Sequence, residues 1–101
     1  MLEIENIKWL ENWISDMFKF KSTNKNPLII RTIDNPGWRI SINLEDTYFY
    51  SKSIDYQERE VDDSDWVQFW VKDGFFQAAG GARNLNQMLG IFRQWVETGI
   101  Y

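Results

Sequence analysis

Asp73-Gly74 stands between two runs that alternate in character, Trp66 to Lys72 before it and Phe75 to Ala79 after it. Asp-Gly is the strongest short-range mark of a two-residue β-hairpin, because both central positions of a type I′ turn need positive φ. The two runs are therefore expected to be neighbouring antiparallel strands. With Val67, Phe69 and Val71 turned into a core, strand alternation sends Trp66, Gln68, Trp70 and Lys72 to the opposite face. Two indoles then lie on the side away from the core.

The rest of the chain divides by hydrophobic period. Ile4, Ile7, Leu10, Trp13, Ile14, Met17 and Phe18 recur at steps of three and four, which predicts a helix over Ile4 to Phe18 with Trp9 just off its apolar stripe. KSTNKNP, Lys21 to Pro27, reads as a polar loop. From Leu28 the period becomes two: LIIRTI predicts a first strand, and Trp38, Ile40, Ile42 and Leu44 alternate with Arg39, Ser41 and Asn43 in a return strand. Between them Asn35-Pro36-Gly37-Trp38 fits a type II turn, with Pro36 at the second position and Gly37 taking positive φ at the third. A further strand is expected within Ser53 to Val61, followed by a turn at Asp62 to Asp65. Gly80-Gly81 is expected to break the sheet, and Asn84 to cap a last helix whose stripe is Leu85, Met88, Leu89, Phe92, Trp95 and Val96, ended at Thr98-Gly99. Trp9, Trp13 and Trp95 fall on helical stripes and are expected in the core.

These elements make an α+β fold: an antiparallel β-sheet of four to six strands packed with N-terminal and C-terminal amphipathic helices, both on one sheet face. Neither an internal repeat nor a shift in composition divides residues 1–101, so one domain is expected. A chain of 101 residues with 44% hydrophobic content can bury roughly 60–70% of its unfolded surface.

Chemistry is poorly served by this composition. The chain has no His and no Cys, which removes the commonest general base, the usual neutral metal ligand, thiolate metal sites and every Ser-His or Cys-His pair. The reading is of a protein that is not an enzyme and needs no cofactor or metal. No apolar run approaches the ~18 residues of a membrane span, and the N-terminus has no basic region leading to a cleavage site, so a cytoplasmic protein without a membrane partner is expected. A formal net charge of −4 argues against direct contact with nucleic acid, which needs clustered cations.

The strongest electrostatic feature is the acidic run Asp55, Glu58, Glu60, Asp62, Asp63 and Asp65, relieved by Arg59. It is a solvated face or a surface that steers a basic partner; as a divalent-cation loop it lacks the glycine and glutamate of the known spacing. Trp66 and Trp70 are a second apolar layer or an anchor for a partner. Gly80-Gly81 before Arg83 lacks the rest of a phosphate-loop pattern.

WLENW (Trp9 to Trp13), TIDNPGWRISINL (Thr32 to Leu44), DWVQFWVKDGFF (Asp65 to Phe76) and GGARNLNQMLGIFRQWVE (Gly80 to Glu97) together resemble the immunity protein 53 family of bacterial polymorphic toxin systems, over nearly the whole chain and in the same order. The resemblance implies a small cytoplasmic antidote that binds a toxin domain and protects the producing cell. The reading is therefore an immunity protein that neutralises its cognate toxin, a basic nuclease being one candidate, by stoichiometric occlusion. Its expected contact residues are Asp55, Glu58, Glu60, Asp62, Asp63, Asp65, Trp66 and Trp70, with the Lys21 to Pro27 loop next in line. The rival is a small-ligand or carbohydrate-binding module that stacks its ligand on Trp66 and Trp70.

Overall fold

The computed structural model describes residues 5–20, 27–34 and 36–101, with the backbone alone at 18–20. Its elements are α1 (Asn6–Phe20), β1 (Leu28–Ile33), β2 (Gly37–Asn43), a short 3-10 turn (Tyr48–Ser51), β3 (Ile54–Asp62), β4 (Asp65–Lys72), β5 (Phe75–Gly81) and α2 (Leu85–Thr98). The five strands form one antiparallel sheet in the order β1-β2-β5-β4-β3. The start of the expected first helix and the lysine-bearing loop up to Asn26 lie outside the described residues.

The hairpin expected at Asp73-Gly74 is present in the predicted form: Asp73 and Gly74 have φ of 55° and 83°, and Lys72 pairs with Phe75 across the turn. Alternation then sorts β4 as expected, with Val67, Phe69 and Val71 buried. They join Ile40 and Ile42 of β2 and Phe76 and Ala78 of β5 in the core. Both helices cover this face. Phe92 of α2 is fully buried and meets Phe76 with ring centroids 5.0 Å apart and Trp13 of α1 at 5.1 Å, edge to face. Trp9 stacks on Trp13, and Trp95 is buried against Phe49 of the 3-10 turn, so the three indoles on helical stripes do pack with the core. Ile7, placed on the apolar stripe by its spacing, is instead exposed.

Two expectations about glycine fail, for the same reason. Gly37 is not the third residue of a type II turn: it lies in β2, paired with Ile33 on one side and Gly81 on the other, and only Gly74 and Gly99 among the described glycines have positive φ. A Cβ at Gly37 would run into the carbonyl oxygen of Gly80. Gly80 and Gly81 likewise do not break the sheet but end β5 inside it. A Cβ on Gly80 would meet Met88 Sδ and the Trp66 carbonyl at 3.0 Å, and one on Gly81 the Ser64 carbonyl at 2.6 Å. These glycines provide close approach, not a turn.

At its far end α2 stops at Gly99, whose φ of 76° and N–H to the Trp95 carbonyl (2.8 Å) make a left-handed cap. Asn84 occupies the position before the helix yet makes no side-chain capping bond. Its amide is drawn elsewhere, as the site shows.

Candidate functional site

The two helices leave one face of the sheet bare, and the strand register says what stands on it. Reading across the strands, one row is Arg31, Arg39, Ala79, Gln68 and Glu58, and the next is Ile29, Ser41, Gln77 and Trp70. Trp66, opposite Glu60, belongs to the same face. Register shifts on either side of Gln57 to Glu60 interrupt the alternation of β3 and bring Tyr56 beside Trp70, with ring centroids 5.8 Å apart.

Trp70 is the centre of this surface. It is half-buried without any helix above it, because the Arg39 guanidinium lies over its ring at 5.3 Å. Arg39 reaches from β2 across β5, where Ala79 is small enough to let it pass, and its Nη2 donates to Gln77 Oε1 at 3.3 Å. A cation on an indole face is attracted by the ring quadrupole, so the two side chains hold each other in place. Glu58 accepts from Gln68 Nε2 (3.1 Å) and from the Tyr56 hydroxyl (3.4 Å). The Tyr56 phenol is pushed above its ordinary value, first by partial desolvation and then by the Glu58 charge and hydrogen bond.

The structure divides the acidic run into parts with different duties. Glu58 and Glu60 stand with Trp66 and Trp70 on the bare face. Asp55 is exposed beside a groove of about 490 Å³ that it lines with Tyr56, Trp70 and Lys72. Asp62, Asp63 and Asp65 sit at the β3–β4 hairpin, where Asp62 pairs with Asp65. Asp62 Oδ1 accepts from the Ser64 backbone N–H (2.8 Å) and hydroxyl (3.0 Å), and Asp65 Oδ1 accepts from Asn84 Nδ2 (2.9 Å). Asn84 spends its amide there, on Gln87 Oε1 and on the Trp66 N–H, which is why it does not cap α2. Two of the expected contact residues are thus also struts of the fold.

The bonds from Ser64 lower the Asp62 carboxyl below the usual carboxylate range, the backbone N–H contributing most. A depressed folded-state value means that Asp62 stabilises the hairpin above the unfolded-state pKa of about 3.9 and loses that effect as pH falls through the folded value. In a carboxyl ¹³C titration, Asp62 is expected to titrate below the free-peptide value; a normal midpoint would show that the turn does not hold its charge.

Arg39, Tyr56 and Gln77 did not stand out in the sequence. The signal for Arg39 was its place in the alternation after Trp38, but its meeting with Trp70 depends on β2 pairing with β5, which no local pattern announces. Among the described residues no group of His, Cys, Asp and Glu side chains is placed to hold a metal ion, and no helix is long and apolar enough to cross a membrane. No curated protein and no solved structure matches the chain. The family described as Immunity protein 53 does match, over residues 7–97.

Proposed function

The chain belongs to the immunity protein 53 family, and from that membership we propose that it neutralises a cognate toxin of a bacterial polymorphic system, in the cytoplasm of the producing cell, by binding it one to one. Protection comes from occupancy and involves no turnover. The toxin docks on the bare sheet face: Asp55, Glu58, Glu60, Asp62, Asp63 and Asp65 supply the field, and Trp66 and Trp70 the anchor. A basic cleft of the kind that holds nucleic acid is the complement that such a field fits.

The observation that carries this reading is the uncovered face itself, where half-buried aromatics and an acidic strand edge occupy one surface with no helix over them. It also weakens the carbohydrate reading. The Trp70 ring on which a sugar would stack already lies under Arg39.

Titrating the cognate toxin domain against the protein is expected to give protection that ends at one equivalent. Protection by a trace amount of the protein would replace the binder with an enzymatic antidote. Charge is expected to act on encounter and the aromatic on residence, since exposed charges change mainly the association rate and a buried anchor the dissociation rate. Because Asp62 and Asp65 hold the hairpin, the charge variant is Asp55→Asn with Glu60→Gln and Asp63→Asn. It should associate more slowly and with a flatter salt dependence, while Trp70→Ala should dissociate on the order of tenfold faster. Unchanged rates in both, at low and high salt, would move the contact elsewhere.

A further inference from the structure

Arg31 and Arg39 are direct cross-strand partners, an arrangement in which like charges destabilise a sheet. No carboxylate among the described residues forms an ion pair with either. Arg39 Nε is moreover buried without an acceptor among them. Buried donors in folded proteins are rarely left so. The two arginines, with Ile29, Ser41 and Gln77, line a groove of about 260 Å³, and Trp70 fixes the orientation of one guanidinium. Two cations facing each other, one clamped flat with a spare donor, are what a planar oxyanion recognises.

We propose that this groove receives a carboxylate side chain of the bound toxin. The inference rests on the docking face proposed above and adds to it a second, opposite polarity. The row that begins with Arg31 and Arg39 ends at Glu58, so the face is positive on one side and negative on the other. Three strand steps of about 4.8 Å separate β2 from β3. The toxin surface that fits must therefore carry an Asp or Glu roughly 14 Å from the basic groups that meet Glu58, and a uniformly basic partner does not satisfy it. The exposed Ile29 beside the groove gives the acidic side chain's neighbours an apolar contact that a free anion would not use.

The test measures affinity and stability together, with the cognate toxin domain as the probe. Arg39→Gln is expected to weaken binding about tenfold or more, and Arg39→Lys not to restore it, because an ammonium lacks the planar fork. Arg39→Gln should melt at or above the wild-type temperature, since it removes one of the two facing positive charges, whereas Arg39→Lys keeps that charge; a purely structural Arg39 would lower the melting temperature in Arg39→Gln. Double-mutant cycles that pair Arg39→Gln with amide substitutions of the toxin's exposed acids should find one acid that couples to it. Wild-type affinity in Arg39→Gln, or no coupled acid, overturns the proposal. If Trp70→Ala still weakens binding in that case, the docking face stands and only the carboxylate site falls. If the wild-type protein does not bind the toxin at all, the docking face fails first. Titration of the toxin-free protein with inorganic phosphate, followed at the Arg39 Nε–H resonance, tests for a small-anion site; saturation there without an effect of Arg39→Gln on toxin binding also overturns it.

Discussion

Phe92→Ala is expected to remove about 3–5 kcal/mol of stability, and with it roughly 15–25 °C of melting temperature for a chain of this size. Phe92 is fully buried. Its ring lies 5.1 Å from Trp13, 6.0 Å from Trp9, 5.0 Å from Phe76 and 6.2 Å from Trp95, centroid to centroid. It therefore joins α1, α2 and the sheet at one point, and the surroundings cannot collapse into the space without moving all three. Such a loss is a large part of the ~5–15 kcal/mol that holds a domain together. Phe92→Leu, which keeps most of the volume, should cost ~1.5 kcal/mol or less. Near-ultraviolet circular dichroism and thermal melting report both; a Phe92→Ala loss below 1 kcal/mol would mean that the helices do not share this core.

The second large effect belongs to Gly37. Overpacking by a side chain at this point is expected to cost ~2–3 kcal/mol, because the added Cβ would strike the Gly80 carbonyl and push β2 away from β5 through the middle of the sheet. The test lies in the comparison of substitutions. A glycine kept for positive φ accepts Asn better than Ala or Val, whereas one kept for space rejects all three through the same atom. Gly37→Ala, Gly37→Asn and Gly37→Val should therefore be destabilised alike, as measured by denaturant unfolding. A well-tolerated Asn would restore the turn role and remove the steric one.

The contrast between Gly37 and Gly74 shows where sequence reading works in this fold. Asp73-Gly74 was legible because the turn is made by those two residues alone, so composition and conformation coincide. The reason for Gly37, Gly80 and Gly81 lies in atoms far along the chain, the Gly80 and Ser64 carbonyls and Met88 Sδ, and a glycine's lack of a side chain looks the same in either case. β2, β4 and α2 were legible from periodicity because each buries one face, while β1 was legible only as an apolar run, since Ile29 to Thr32 are exposed on both sides. β3 was legible in position only, since it lies at the sheet edge with exposed residues on both sides and shifts its register. Of the candidate site, the two indoles opposite the core and the carboxylates of the run could be read from alternation and charge. Their neighbours could not, because Arg39 meets Trp70 only once a third strand lies between them. The 3-10 turn at Tyr48–Ser51 has neither a period nor a glycine to mark it, and Phe49 earns its place through Trp95.

The pairing of β2 with β5 also sets the tempo at which the protein comes into being. β1–β2, β3–β4 and β4–β5 are hairpins between consecutive strands, formed by short-range closure, while β2 must wait for residues 75–81 to complete its other edge. Closing that span carries an entropic barrier before any contact rewards it, and such non-local pairings slow folding. During synthesis β2 exists for a long interval with one side unpaired, and α2, which covers the seam, is the last element made. Arg39 and Trp70 share a surface only after the seam closes, whereas Glu58, Glu60, Trp66 and Trp70 already come together in the β3–β4 hairpin, so the face is completed in two stages. The arginine side of the face, and with it the carboxylate groove, therefore exists only in the finished molecule.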